Sequence, residues 1–121
     1  MIRVGNAPYL ECSSRGDRRF SAFYARIKSL GYKSIEELYQ AKKVFANGET
    51  GLSPMRAKGR KAINMPECQQ YYSELWNIYF SENPELLDVI KKYNGFSDMF
   101  GRPGCQCQAK EIYRIKNNYK Q

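Results

Sequence analysis

The sequence contains no histidine, and this absence removes the commonest general base near neutral pH. No Ser–His or Cys–His catalytic pair can therefore form within this chain. Carboxylates, lysines and tyrosines are still available as acids and bases, so an enzyme is disfavoured rather than excluded. We therefore rank a binding protein first and an enzyme second.

Standard nucleotide and nucleic-acid motifs are also missing. The glycines form neither G-x-x-x-x-G-K-[ST] nor G-x-G-x-x-G, so the chain has no P-loop and no dinucleotide-binding fingerprint. It contains no RNP-type aromatic motif, no GXXG between predicted helices and no zinc finger. Only less regular patterns of residues therefore indicate the function.

Long hydrophobic runs are absent as well. No run approaches transmembrane length, and the first ten residues, MIRVGNAPYL, lack the apolar core of a signal peptide. We therefore expect a cytosolic protein that neither spans a membrane nor is secreted.

The four cysteines do not have the spacing of a metal site. Cys105 and Cys107 form one C-x-C pair, and Cys12 and Cys68 stand alone. A reducing cytosol keeps such thiols reduced, and buried cysteine is a common small hydrophobic residue. The sequence therefore predicts free thiols, no metal and no cofactor.

The chain carries an excess of positive charge. Its 121 residues include 20 Lys and Arg against 12 Asp and Glu, for a formal net charge of +8. A small domain this basic favours an anionic partner, with nucleic acid, anionic lipid and phosphorylated metabolites all open. The length suffices for one hydrophobic core, so we expect a single domain over residues 1–121.

Hydrophobic periodicity and capping signals predict an α+β fold, a small antiparallel sheet packed with about four helices. Strands are expected at 9–13 and 20–28, paired as an antiparallel hairpin, and at 96–100. The first predicted helix covers residues 35–45 and begins with a capping box of Ser34 and Glu37. The second covers 66–80, the third begins at residue 84 and stops before Gly95, and the fourth begins at residue 106 or 107. The aromatic stripe of the second helix, including Trp76, is expected to pack in the core or at a dimer interface.

Residues 46–64 are predicted to form a mobile basic loop. Glycines and Pro54 interrupt this segment, and it carries four cations, Arg56, Lys58, Arg60 and Lys61. One interpretation is a solvated charged loop, and the other is a flap that closes over an anion, with Lys58 as its first candidate ligand.

The most informative stretch is 9–26, YLECSSRGDRRFSAFYAR. Its predicted turn holds three arginines beside Ser13 and Ser14, and aromatic residues follow directly. Guanidinium groups, hydroxyls and turn N–H groups suit phosphate, while aromatic faces suit a base. This pattern favours a nucleotide binder.

Several segments together resemble a family of small phage and prophage proteins. They are SSRGDRRFSAFYARI, SIEELYQ, AKGRKAIN, ENPELL, FSDMFGRPG and CQA, and they span most of the chain, from Leu10 to about Ala109. These segments are similar to the anti-Thoeris signal-sponge family, the first described type of Thoeris anti-defence protein. The block over residues 13–26 is the most specific of them.

The resemblance implies a non-enzymatic function in the cytoplasm of an infected bacterial cell. Proteins of that family bind a glycocyclic ADP-ribose made by a TIR-domain enzyme of the host and hold it intact, which starves the downstream effector. They assemble into oligomers, and some also hold cyclic oligonucleotides at a second site. We therefore expect a homo-oligomer, a dimer or higher, that sequesters a cyclic ADP-ribose-type messenger.

The ligand implied by the resemblance defines the candidate site. Adenine needs a stacking surface, for which Phe20 and Phe100 are candidates, and Asp98 is a candidate acceptor for ribose hydroxyls or the adenine amino group. The cationic and hydroxyl candidates for its phosphates are Ser14, Arg15, Arg19, Lys58 and Arg102.

Two other classes of protein stay open. A small ADP-ribose-type enzyme would use Asp17 or Asp98 as a base, and it would convert the bound ligand to product. A basic phage protein that binds nucleic acid would show strong salt dependence and an affinity that grows with oligonucleotide length.

Overall fold

Three strands from distant parts of the chain form the main sheet of the computed structural model, which describes residues 1–102 and 107–118. Strand β1 (Ile2–Gly5) pairs antiparallel with β5 (Gly95–Asp98), and β2 (Tyr9–Glu11) pairs parallel with the other edge of β5. All four residues of β5 are buried, as befits a central strand. The sheet is therefore mixed, whereas the sequence predicts an antiparallel one.

The hairpin predicted between residues 9–13 and 20–28 is wrong. Strand β2 pairs with β5, and residues Arg18–Phe20 form a 3-10 turn that Asp17 caps by accepting from the Arg19 N–H at 3.1 Å. Within the second segment only Arg26–Ile27 forms a strand, β3, and it pairs antiparallel with β4 (Lys33–Ser34) in a separate two-stranded sheet.

Five helices lie within the described residues: α1 (Ile35–Lys42), α2 (Pro54–Ala57), α3 (Met65–Glu82), α4 (Glu85–Ile90) and α5 (Gln108–Asn118). The predicted capping box is confirmed, because Ser34 Oγ accepts from the Glu37 N–H and Glu37 Oε1 accepts from the Ser34 N–H, each at 3.1 Å. No helix in these ranges is both long and apolar enough to cross a membrane. The α+β single domain is thus confirmed, although α1 and α4 end earlier than predicted.

The early end of α1 coincides with hydrogen bonds to a residue about twenty positions further along the chain. After Lys42 the chain leaves the helix, and the Val44 N–H donates to Asn64 Oδ1 at 2.9 Å. Asn64 Nδ2 in turn donates to the Lys42 carbonyl at 3.1 Å, which satisfies a carbonyl at the end of the helix. Asn64, at the start of α3, therefore determines where α1 stops.

The aromatic stripe of α3 forms the centre of the core, as one of its two interpretations predicts. Leu75 and Trp76 are fully buried, and the Trp76 ring lies edge-on to Tyr79 with centroids 5.5 Å apart. Burial of one large apolar side chain contributes about 1.5–3 kcal/mol, so this stripe is a major source of stability. Strands β1 and β5 pack on α5 on the far side of the core.

The segment predicted as a basic loop has its own small apolar cluster. Phe45, Ala57 and Ala62 are buried together, with Leu52 and Met65 packed at the edge. Helix α2 lies inside this segment, and Val44 forms an isolated antiparallel bridge with Thr50. Local packing therefore shapes the segment, and its mobility stays a prediction.

The buried thiols agree with the sequence prediction where they are described. Cys12, Cys68 and Cys107 are free and buried, and Cys105 lies outside the described residues. The GRPG sequence at 101–104 predicts a turn, and its last two residues also lie outside the described part. Burial raises the pKa of the Cys12 thiol well above its usual value, which keeps it protonated. The sequence predicts fraying over the last five residues, 117–121; residues 117 and 118 lie at the end of α5, and residues 119–121 are outside the described part.

Candidate functional site

A cavity of about 960 Å³ opens where five parts of the chain meet. Its walls come from residues 13–23, from α1 and the residue that follows it, from residues 58–61, from the first part of α3, and from the end of β5 together with the start of α5. Cavities that bind small molecules usually measure about 300–1,000 Å³, so this one has room for a nucleotide. The charged lining residues are Glu36, Lys43, Lys58, Arg60, Lys61, Asp98 and Arg102.

Cations dominate the rim of the cavity. Lys58, Lys61 and Arg102 are exposed, and their side chains make no hydrogen bond or ion pair with any other described residue. Gly59 adopts φ +81°, a left-handed conformation that glycine permits, and so the chain can turn between two cationic residues. The rim is therefore suited to an anion that approaches from solvent.

Arg60 is held in place on this rim. Its Nη2 lies 2.9 Å from Glu49 Oε1, and its guanidinium carbon lies 4.0 Å from the centroid of the Phe45 ring. An ion pair and a cation–π contact together limit the side chain to one region. Arg60 thus contributes a fixed charge beside the exposed Lys58 and Lys61 on the rim.

Lys43 places a positive charge inside the cavity wall. The side chain is buried, and its Nζ donates to the carbonyls of Ala57 and Arg60 at 3.4 and 3.3 Å. Burial lowers the pKa of the Lys43 amine, and the nearby Glu36 carboxylate opposes this effect. Lys43 therefore ties the 57–60 backbone to the end of α1 and adds a cation to the lining.

Asp98 also lines the cavity, and both of its oxygens already accept hydrogen bonds. Oδ1 accepts from the Phe100 N–H at 3.0 Å, and Oδ2 accepts from Gln108 Nε2 at 2.6 Å. The Cys107 thiol also approaches Oδ2, at 3.6 Å. The carboxylate is thus well oriented, with lone pairs left for a ligand donor.

Five of the eight candidate ligand-binding residues line the cavity, although they are far apart in sequence. These residues are Ser14, Lys58, Asp98, Phe100 and Arg102. The Phe100 ring is 59% exposed, and Phe23, which the sequence analysis did not select, adds a second exposed ring to the lining. The structure therefore brings cations, acceptors and aromatic faces to one cavity.

The stacking role assigned to Phe20 is corrected by the structure. Its side chain is 0% exposed, and its ring lies 6.2 Å from that of Phe80, centroid to centroid. A ring enclosed by core residues has no free face for a base. The aromatic side chain that follows the arginine turn is therefore a core residue, which is the usual role of a phenylalanine.

Arg19 and Arg15 lie outside the cavity lining, so the structure does not support their predicted phosphate contacts. Arg19 pairs with Asp17 at 2.6 Å, and its carbonyl accepts from Tyr79 Oη at 2.6 Å. This hydrogen-bonded pairing lowers the pKa of Asp17 and closes the turn. Arg15 is exposed to solvent near the turn and does not line the cavity.

Sequence reasoning missed the contribution of α1. Glu36, Gln40 and Lys43 line the cavity, and they lie four and three residues apart along the chain. This spacing places polar side chains on one helical face, and it was the available signal. Gln108 was missed because a single glutamine at a helix start carries no distinctive pattern.

No protein-family model matches this chain, and no curated protein matches it. The site is therefore interpreted from its own geometry and from the sequence resemblance.

Proposed function

We propose that this protein binds a cyclic ADP-ribose-type nucleotide in the cavity and sequesters it without degrading it. In this proposal it is a phage anti-defence protein that acts in the cytoplasm of an infected bacterial cell. The observation that carries the proposal is the meeting of rim cations, buried acceptors and exposed aromatic rings at one cavity of nucleotide size.

The phosphate part of the ligand is assigned to the cationic rim. A nanomolar affinity corresponds to about 12 kcal/mol, whereas one exposed ion pair contributes about 0–1 kcal/mol. Several cations must therefore act together, and Lys58, Arg60 and Arg102 all line the cavity with Lys43 in its wall. A pyrophosphate in contact with several of them would gain charge-assisted hydrogen bonds.

The base and the riboses are assigned to the remaining lining. Phe23 and Phe100 offer exposed rings on which an adenine can stack, and stacked aromatic pairs contribute about 0.5–1.5 kcal/mol beyond the area they bury. Asp98 and Glu36 supply carboxylate oxygens for hydroxyl or amino donors. These groups complement the polar edges of a nucleoside.

An enzyme that acts on the same ligand is the second candidate function. It is favoured by the two carboxylates and the buried lysine that share the cavity, because such groups can serve as acids and bases. Asp17 does not line the cavity, which leaves Asp98 of the two bases considered from the sequence. We rank this function below binding because Asp98 already accepts hydrogen bonds from Gln108 and Phe100.

The test separates binding from chemistry. Purified protein is mixed with cell extract that contains the TIR-derived messenger, and the filtrate is assayed for activation of the effector. The retained protein is then heat-denatured, and the released ligand is assayed again. Loss of activation followed by full recovery supports sequestration, loss without recovery supports the enzyme, and no loss overturns both.

Matched variants connect this test to the cavity. Lys58→Ala removes a rim cation, and Lys92→Ala removes an equal charge from an exposed position outside the cavity. We expect the first variant to leave more messenger in the filtrate and the second to behave like the unmodified protein. Equal behaviour of the two variants would move the binding site away from this rim.

The proposal extends to assembly and to a second ligand. The resemblance implies a homo-oligomer, a dimer or higher, and binding of cyclic oligonucleotides at a separate site. Light scattering after size exclusion measures the assembly. A cyclic oligonucleotide that binds without competing with the ADP-ribose-type ligand would support two sites.

A further inference from the structure

Gln40 holds a buried acceptor that no described group satisfies. Its side chain is 4% exposed, it lines the cavity from α1, and its Oε1 has no hydrogen-bond partner among the described residues. A buried acceptor left without a donor costs about 1–3 kcal/mol, so such atoms are uncommon in folded proteins. Because Gln40 lies in a cavity wall, a bound ligand with a donor group would supply the missing hydrogen bond.

Glu36 orients the Gln40 carboxamide, whose nitrogen faces the Glu36 carboxylate. Gln40 Nε2 donates to Glu36 Oε2 at 3.0 Å, one helical turn earlier. The carboxylate accepts and cannot donate when ionised, so the amide nitrogen must face it. The remaining atom, Oε1, is therefore presented as an acceptor, and its matching ligand group must be an N–H or O–H donor.

The surroundings of Gln40 favour a nucleoside over a phosphate. Tyr39 and Tyr72 also line this wall, and their rings lie edge to face with centroids 5.1 Å apart. Both side chains are buried, so a group seated here is shielded from water. A carbonyl-type oxygen beside the Glu36 carboxylate repels phosphate, which places the phosphate at the cationic rim instead.

We propose that Gln40 is a specificity-determining residue of this cavity and that its Oε1 accepts a hydrogen bond from the nucleoside part of the ligand. The donor is the amino group of adenine or a ribose hydroxyl. This inference rests on the proposed function, because it assigns one group of the ADP-ribose-type ligand to the α1 wall. The inference goes beyond the proposed function because it requires a hydrogen-bond donor of the ligand at Gln40 Oε1.

The first experiment measures affinities with ADP-ribose as the probe, by calorimetry. Gln40→Met keeps the length of the side chain and removes its oxygen, and Gln70→Met makes the same change at an exposed α3 position outside the cavity. We expect the Gln40 variant to bind at least about tenfold more weakly and the Gln70 variant to bind normally. Normal binding by Gln40→Met overturns the inference while leaving the proposed function in place.

The second experiment does not depend on how well the variant folds. The unmodified protein is titrated with inosine diphosphate ribose, in which a carbonyl acceptor replaces the adenine amino donor, and with probes that lack single ribose hydroxyls. Loss of at least about tenfold for one of these analogues supports the inference and identifies the donor. Unchanged affinity for all of them overturns it.

Combining the two experiments assigns the contact. If an analogue lacks the group that meets Gln40, the analogue and the Gln40→Met change should be non-additive, since each removes the same hydrogen bond. Additive losses for every analogue overturn the inference. A protein that binds neither ADP-ribose nor the messenger overturns the proposed function itself, an outcome distinct from selective failure at Gln40.

Discussion

Asp98 accepts a hydrogen bond from Gln108 at 2.6 Å, and Gln108 Oε1 in turn accepts one from the Ala22 N–H at 2.9 Å. These two hydrogen bonds join the end of β5, the start of α5 and the turn after the arginine-rich segment. Ala22 and Gln108 lie 86 residues apart in sequence, and both line the cavity. The shape of that wall therefore depends on one glutamine.

Replacing Gln108 with Leu should destabilise the fold and weaken ligand binding. The change leaves the Ala22 N–H without its partner and leaves Asp98 Oδ2 with only the Cys107 thiol at 3.6 Å, which costs about 1–3 kcal/mol in the free energy of unfolding. Urea denaturation measures this loss. Gln70→Leu, at an exposed position on α3, should stay within about 0.5 kcal/mol of the unmodified protein. Equal stability of the two variants would contradict the role of Gln108.

The two phenylalanines first considered as stacking surfaces should behave oppositely. Phe20→Ala empties a fully buried position, so we expect a loss of about 3–5 kcal/mol in the free energy of unfolding. Phe100→Ala truncates a ring that is 59% exposed, so we expect weaker ligand binding with little change in stability. Denaturation and ligand titration on both variants check this contrast, and an unstable Phe100 variant with normal affinity would refute it.

Ser34→Ala should destabilise α1 by about 1 kcal/mol, because its hydroxyl accepts from the Glu37 N–H in the capping box. Ser53→Ala is the matched control. Ser53 occupies the N-cap position of α2 but makes no side-chain capping hydrogen bond there. Urea denaturation should show a loss for the first variant and almost none for the second. Similar losses would mean that the capping box does not carry the effect.

Glu11 should contribute to stability above pH 4.5 and lose that contribution in acid. Burial by itself raises the pKa of Glu11, but hydrogen bonds from Ser13 and Met99 lower it below its usual value of 4.5, and Ser97 adds a third. A carboxyl with a lowered folded-state pKa stabilises the fold while ionised, and this stability disappears as the pH falls below 4.5 through the folded value.

The measurement is the free energy of unfolding of Glu11→Gln against pH. The variant should be less stable than the unmodified protein near neutrality, and the difference should shrink towards acid. Glu74→Gln, at an exposed α3 position, is the control for loss of a surface charge. A difference that does not change with pH would reject the assignment.

Titration of the Lys43 amine should raise the free energy of unfolding as the pH approaches 10.5. Burial lowers the folded-state pKa of this amine below its usual value of 10.5. Between the folded and unfolded values the unfolded chain binds more protons, so the free energy of unfolding rises with pH in that window. Lys43→Met should reduce this rise, as measured by denaturation from neutral pH to pH 10.5. An unchanged slope would show that the Lys43 amine does not titrate in the fold.

Local signals predicted the helices better than the sheet. Ser34 and Glu37 begin a helix through contacts within one turn, and the stripe around Trp76 shows its buried face by spacing alone. The partner of β2 carries no such signal. It is a strand whose paired residues lie 86 positions further along the chain, and the arginine turn that resembles a hairpin loop is capped by Asp17 instead.

The candidate site shows the same division. Lys58, Asp98 and Phe100 were selected for their chemistry, and they do line one cavity. Phe20 was selected for the same reason, but burial in the core takes it away from any ligand. Residue type predicts which chemistry is available, and only packing decides which groups reach a common space.

The sequence by itself determined the charge, the start of α1, the aromatic stripe of the core and the chemical groups offered to a ligand. These properties depend on single residues or on neighbours within about two helical turns. The tertiary structure alone decided the mixed order of the sheet and the assembly of the cavity from α1, residues 58–61 and the end of β5. Such contacts join segments far apart in the chain, and they form because burying the whole core is more favourable than satisfying any one segment locally.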